Sequence, residues 1–202
     1  MKSNRNWMDY FIYLFWAFLA FTVIYDLFFV PIRSVYWFAG FLFALFLYYK
    51  KLLPKPVYVF MACIFVFQVF GELYFEFFYN IANYDKLDHF ISGIEFCILF
   101  YYLFGQKVEN KRYLILTAFL FSLSFSYAWE MVEYISDTYF GTTTVGVIMG
   151  DPIDYVGSGA QMIVPQYEDT ILDMFYSFLG ALSFVFGGLT FLKFKKKKTK
   201  RT

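Results

Sequence analysis

Six apolar runs, at residues 10–30, 34–49, 57–79, 87–104, 113–135 and 171–191, constrain this chain more than any other feature. A helix needs about 20 predominantly apolar residues to cross the hydrocarbon core of a bilayer, and these runs meet or approach that length. The second is the shortest. With 60% of its 202 residues hydrophobic and only 16% charged, the chain has far more apolar surface than one soluble core could hide. The connectors are built from helix breakers and charge: Pro31 and Arg33, then 50–56 with Pro54 and Pro56, then 80–86, then 105–112. The expected fold is all-α, a polytopic transmembrane helical bundle of about six spans. It forms one integral membrane domain over 1–202, with a long extracytoplasmic connector at 138–168 and a basic tail at 193–202.

Charge sorts the connectors into two sides. Lys2 and Arg5 precede the first run, Lys50, Lys51 and Lys55 separate the second from the third, and Lys107, Lys111 and Arg112 separate the fourth from the fifth. The remaining basic residues follow the sixth run, so all but Arg33 and Lys86 of the 17 fall on one side of a six-span arrangement. Of the 16 acids, only Asp9 and Glu109 share that side. The positive-inside rule then predicts that both termini are cytoplasmic. Lys2 and Arg5 stand before a full-length run with no small-residue cleavage site, which reads as a permanent first helix and not a signal peptide. The terminal lysines read as a topology anchor on an anionic leaflet, and nothing aromatic accompanies them to suggest nucleic acid as a partner. Cys63 and Cys97 fall inside runs three and four and read as two packed thiols.

Polar residues within the runs recur at helical spacing. Gln68, Glu72 and Glu76 share one face; Asp85, Asp88, His89, Ser92 and Glu95 share another. Ser122, Ser126, Glu130, Glu133 and Asp137 form a third stripe, and Asp169, Asp173 and Ser177 a fourth, leading toward Gly180. At about 1.5 Å rise per residue, Glu130 lies roughly 25 Å from the cytoplasmic start of its run and Glu72 roughly 22 Å from its own, so the stripes meet in the outer half of the bilayer. An ionisable group at mid-membrane costs on the order of 2.5 to 3.5 kcal/mol on insertion scales. So many of them must face one another or water, with protons shared, a cation bound or a cavity open to solvent. Asp26, Asp88, Asp151 and Asp154 read instead as solvated interface or loop acids.

The connector at 138–168 has no basic residue and carries Gly141, Gly146, Gly150, Gly157 and Gly159. Its make-up suits a lid or a re-entrant segment over the outer mouth of the bundle, or a plain extracytoplasmic loop. The stretch from Gly157 to Ala160 is no nucleotide-binding loop, because no lysine follows it.

Asp85-Lys86-Leu87-Asp88-His89-Phe90 resembles the D-K-x-x-H-F signature of VanZ-like membrane proteins. Trp129-Glu130-Met131-Val132-Glu133 is similar to the E-x-x-E segment of the related YjdF-like inner-membrane family. Asp169-Thr170-Ile171-Leu172-Asp173-Met174, with Gly180-Ala181 after it, is similar to that family's D-T-x-x-D-M segment and trailing glycine. The resemblance covers 84–181. Two positions depart from the VanZ-like pattern, which has Asn at Ser177 and Gln at Glu133. The resemblance implies a multi-pass protein of the bacterial plasma membrane, in a group associated with glycopeptide resistance.

Three functions fit these residues. In the first, a membrane-embedded site acts on a lipid-linked or cell-envelope substrate. His89 with Asp85 behind it serves as general base, together with Glu130 and Asp173. Glu130, Glu133, Asp169, Asp173 and His89 could hold a divalent metal, and Glu72 and Glu76 stand in a secondary position. Carboxylates alone suit magnesium, calcium or manganese, and adding His89 admits zinc or iron. In the second, the protein is non-catalytic and serves envelope stress or antibiotic resistance, its polar stripes joining helices. In the third, the same acids relay protons or cations in transport.

Overall fold

The computed structural model describes residues 6–29, 31–73, 77–81, 83–140, 146–149 and 161–199. Its helices are α1 (Trp7–Phe29), α2 (Pro31–Tyr49), α3 (Lys55–Leu73), the one-turn α4 (Phe77–Asn80), α5 (Tyr84–Phe104), α6 (Lys111–Phe140) and α7 (Gln166–Thr199). Two short strands, β1 (Val147–Met149) and β2 (Gln161–Val164), pair antiparallel between α6 and α7. The described residues are thus helical apart from one small ribbon, which lies in the connector read from sequence as a lid, a re-entrant segment or a plain loop. Four described stretches are long and apolar enough to cross a membrane: Trp7–Phe29, Tyr84–Phe104, Lys111–Tyr139 and Gln166–Lys195. Two shorter apolar helical stretches, Trp37–Tyr49 and Lys55–Gln68, accompany them.

The third run is helical to Leu73 in α3 and again over Phe77–Asn80 in α4, and residues 74–76 between them lie outside the described residues. The helix limits correct two sequence boundaries. The fourth helix starts at Tyr84 and not at 87, after Asn83 in a left-handed conformation with φ 68°. This places Asp85 and Lys86 in the first turn of α5 instead of in a connector. The connector itself shortens at both ends, since α6 runs on to Phe140 and α7 begins at Gln166.

The chain forms two compact units, Met1–Phe67 and Gln68–Thr202. In the first, α1 buries Asp9, Ile12, Phe15, Leu19, Thr22 and Asp26, spaced three or four apart on one face. Leu14, Phe21, Leu27 and Phe28 point outward, as lipid-facing residues do. The polar groups inside are satisfied: Trp16 Nε1 donates to Tyr58 Oη (2.9 Å), which donates to the Ala44 carbonyl (3.1 Å). Asp26 is not the solvated acid expected from sequence. It is 0% exposed and accepts a 2.7 Å hydrogen bond from Trp37 Nε1. Asp9 pairs with Lys55 at 2.5 Å, joining the first turns of α1 and α3.

In the second unit α5, α6 and α7 pack on one another. Leu114, Ala118, Ser122, Ser126 and Glu130 line the buried face of α6; Asp169, Asp173, Ser177, Gly180 and Ala181 line that of α7. Large apolar side chains such as Met131, Phe175 and Phe186 face outward. The core stripe is therefore more polar than the surface at one end of the bundle, as expected when the surroundings are lipid. Two glycines set the closeness of α5 to α7. A Cβ on Gly93 would collide with the Ser177 carbonyl, and one on Gly180 with the Phe90 carbonyl. Small residues at reciprocal positions let the two backbones touch. Of the cysteines, Cys97 is buried, but Cys63 is exposed and not packed as expected; both are free thiols.

Candidate functional site

The first turn of α5, the last turns of α6 and the first turns of α7 meet at one end of the second unit. Lys86, only 4% exposed, reaches three carboxylates there: Asp85 Oδ2 at 2.7 Å, Asp173 Oδ1 at 2.6 Å and Asp169 Oδ1. Three partners match the three protons of an ammonium group. Asp169 is committed on both oxygens, because its Oδ2 accepts a 2.6 Å bond from the Gly146 N–H. Gly146 has φ 98°, a backbone conformation that glycine alone adopts without strain. The residue leading into β1 is thereby tied to the base of α7.

One turn above Lys86 on α5, the imidazole of His89 lies among carboxylates from three helices. Its Nε2 is 3.4 Å from Asp85 Oδ1 and 3.7 Å from Asp173 Oδ1, and its Nδ1 is 3.5 Å from Glu130 Oε1. Ser177 Oγ stands 3.5 Å from Nδ1 and 3.4 Å from the His89 carbonyl. Glu130 is 3% exposed, yet neither of its carboxylate oxygens has a hydrogen-bond partner among the described residues. A buried carboxylate in that state carries a large desolvation penalty. Asp85, His89 and Asp173 offer ligand atoms that all lie within 4.8 Å of one another, which makes them a group able to hold a metal ion.

The expected site residues thus divide. Asp85, His89, Glu130, Asp169 and Asp173 come together. Glu133 lies one turn further along α6, where its Oε1 accepts a 2.6 Å bond from Trp129 Nε1. The side chain of Glu72 and the whole of Glu76 lie outside the described residues, as do Asp151, Asp154 and the side chain of Arg33. Of the α3 stripe, Gln68 is described: its Nε2 donates to Ser92 Oγ (3.0 Å) and to the Asp88 carbonyl (3.4 Å). Asp88 Oδ1 is buried without a hydrogen-bond partner among the described residues, so Asp88 too is less solvated than its sequence position suggested. The polar face of α5 therefore serves two neighbours, with Asp85 and His89 turned toward α6 and α7 and Ser92 toward α3.

From sequence, Lys86 counted only as one of two outer-side basic residues and as part of the D-K-x-x-H-F resemblance, Gly146 only in the make-up of the connector, and Gly93 had no role. Lys86 could have been found from its helical phase, since it directly follows Asp85 and precedes His89 by three positions. The role of Gly146 depends on where the connector folds back, which no local pattern carries.

No curated protein and no solved structure matches this chain. A family match does extend over residues 7–194, from the start of α1 almost to the end of α7. With its apolar helices and its buried polar end, the chain belongs to the family described as Predicted membrane protein (DUF2238).

Proposed function

We propose that this membrane protein carries, at the extracytoplasmic end of α5, α6 and α7, an acid–base site acting on a lipid-linked or other cell-envelope substrate. The observation that carries the reading is the placement of the only histidine of the chain, with carboxylates from three helices against both ring nitrogens. An imidazole so flanked can pass a proton between its two faces. Lys86 is a clamp in this account: its three acceptors hold α5 to α7 and position Asp85 and Asp173 beside His89. Glu130, outside the clamp, is the proton partner on the other side of the ring.

The charge distribution of the connectors supports six spans with both termini in the cytoplasm of a bacterial cell, an arrangement in which this end of the bundle would lie outside. The YjdF-like and VanZ-like resemblance of 84–181 belongs to the same proposal and points to the cell envelope. Transport has less support, because below His89 the α5–α7 crossing closes at Gly93 and Gly180 and the Ser122 hydroxyl is spent on the Gly93 carbonyl at 3.0 Å.

The test is complementation of a deletion strain, read as susceptibility to glycopeptides and other envelope-active antibiotics. His89→Ala and Glu130→Ala are expected to insert and accumulate normally but to fail to restore the wild-type response. Full complementation by both variants would contradict the reading.

A further inference from the structure

We propose that Asp85, His89 and Asp173 bind one divalent transition-metal ion on the Nε2 side of the imidazole, with Glu130 fixing the ring from the Nδ1 side. The inference rests on the acid–base reading for what the ion would do, but not for whether it binds; with the ion in place His89 is its ligand through Nε2, and the proton relay through the ring belongs to the ion-free site.

Distance is the first support. Nε2 stands 3.4 Å from Asp85 Oδ1 and 3.7 Å from Asp173 Oδ1, long for hydrogen bonds, as is the 3.5 Å from Nδ1 to Glu130 Oε1, which would have to shorten for Glu130 to fix the ring. Two ligands on a tetrahedral zinc ion, each bound at about 2.05 Å, lie about 3.4 Å apart, so the spacing suits donors sharing an ion better than donors bonded to each other. Lys86 treats the two acids differently. By holding Asp85 through Oδ2 it leaves Oδ1 turned to the imidazole. On Asp173 it holds Oδ1, the oxygen nearer the imidazole, so Asp173 would meet an ion through its other oxygen or share Oδ1 with the ammonium.

Glu130 supplies the second, independent support. It is buried, has no hydrogen-bond partner at either oxygen among the described residues, and directs Oε1 to within 3.5 Å of His89 Nδ1. When Nε2 is a metal ligand, the ring proton must sit on Nδ1. A carboxylate at that position is the usual outer partner of a metal-bound histidine. An ion on Nε2 would give this acid a role that no other contact among the described residues gives it.

Charge is the third. Among the described residues Asp85, Asp169 and Asp173 share one lysine and Glu130 faces the imidazole, and a divalent ion would offset the excess that lipid-surrounded protein cannot solvate. One nitrogen and two carboxylate oxygens suit zinc, manganese or ferrous iron better than magnesium. Three protein ligands leave a position for water or substrate, the pattern of catalytic sites.

The test uses the full chain purified in detergent, stripped with a chelator and titrated with Zn²⁺ by calorimetry, with a thermal melt to confirm that each variant is folded. One Zn²⁺ per chain is expected. His89→Ala should remove binding, and Glu130→Gln, which leaves the Lys86 clamp intact, should weaken it about 10- to 100-fold with the stoichiometry unchanged. Failure of the folded wild-type chain to bind Zn²⁺, Mn²⁺ or Fe²⁺ stoichiometrically would overturn the proposal, as would unaltered binding in folded His89→Ala. The two readings separate cleanly. A metal-free wild-type chain whose His89→Ala variant loses complementation retains the acid–base site without the ion, whereas stoichiometric binding with full complementation retains the ion without the activity.

Discussion

Lys86 in the first turn of α5 and Asp173 in the second turn of α7 form a buried ion pair of 2.6 Å, 87 positions apart in the chain. With Asp85 and Asp169 completing the set, the lysine is the cation that makes the acidic end of the bundle tolerable. Removing one member of a buried charged set costs more than the set contributes, because the partners are left uncompensated. Lys86→Met is therefore expected to lower the stability of the purified protein by about 3 to 5 kcal/mol, measured by denaturation in detergent. A change within error would show that the three acids do not depend on it.

The α5–α7 crossing predicts a graded glycine series. Gly180→Ala puts a methyl group against the Phe90 carbonyl and Gly93→Ala puts one against the Ser177 carbonyl, backbone atoms that can yield only if the helices separate. Each should cost about 1 to 3 kcal/mol by overpacking. Gly187→Ala on the same helix has open space around it and should be neutral or slightly stabilising, as alanine is the better helix former by about 1 kcal/mol. Equal effects at all three positions in thermal melts would refute the close crossing.

How much of this was legible in the sequence follows from which interactions are local. Hydropathy located the apolar helices, and helical phase grouped Asp85 with His89 and Asp169 with Asp173, because both depend on residues a turn or two apart. The start of α5 was misplaced because Asp85, Lys86 and Asp88 lower the local hydropathy, and a buried lysine satisfied by residues 83 and 87 positions later looks the same as a solvated one. Asp26 was misread for a like reason: its donor, Trp37, lies on the next helix and not at i±3 or i±4. The ribbon of β1 and β2 consists of segments of three and four residues, too short to show a period.

The Asp26–Trp37 contact carries its own prediction for the first unit. Trp37→Phe keeps an aromatic ring but removes the indole N–H that donates to a fully buried carboxylate. Hydrogen bonds to charged groups are worth about 1.5 to 3 kcal/mol, and a loss of that order is expected in the melt. Wild-type stability in the variant would mean that the pair is incidental.

Sidedness is testable with single cysteines in a background lacking Cys63 and Cys97. Tyr167, exposed at the start of α7, and Lys193, exposed near its end, lie at opposite ends of one long helix. In intact cells a membrane-impermeant maleimide is expected to label Tyr167→Cys and to spare Lys193→Cys. The reverse pattern would place the acidic end in the cytoplasm and remove the case for an envelope substrate.

The convergence of three helices on His89 can be observed directly, because the chain contains one histidine. With ¹⁵N-labelled histidine, NMR of the detergent-solubilised protein reports the two ring nitrogens of a single residue. The account predicts that Glu130→Gln perturbs chiefly the Nδ1 resonance and Asp85→Asn chiefly the Nε2 resonance, each in a folded protein. Resonances that match those of free histidine and do not respond to either substitution would contradict it.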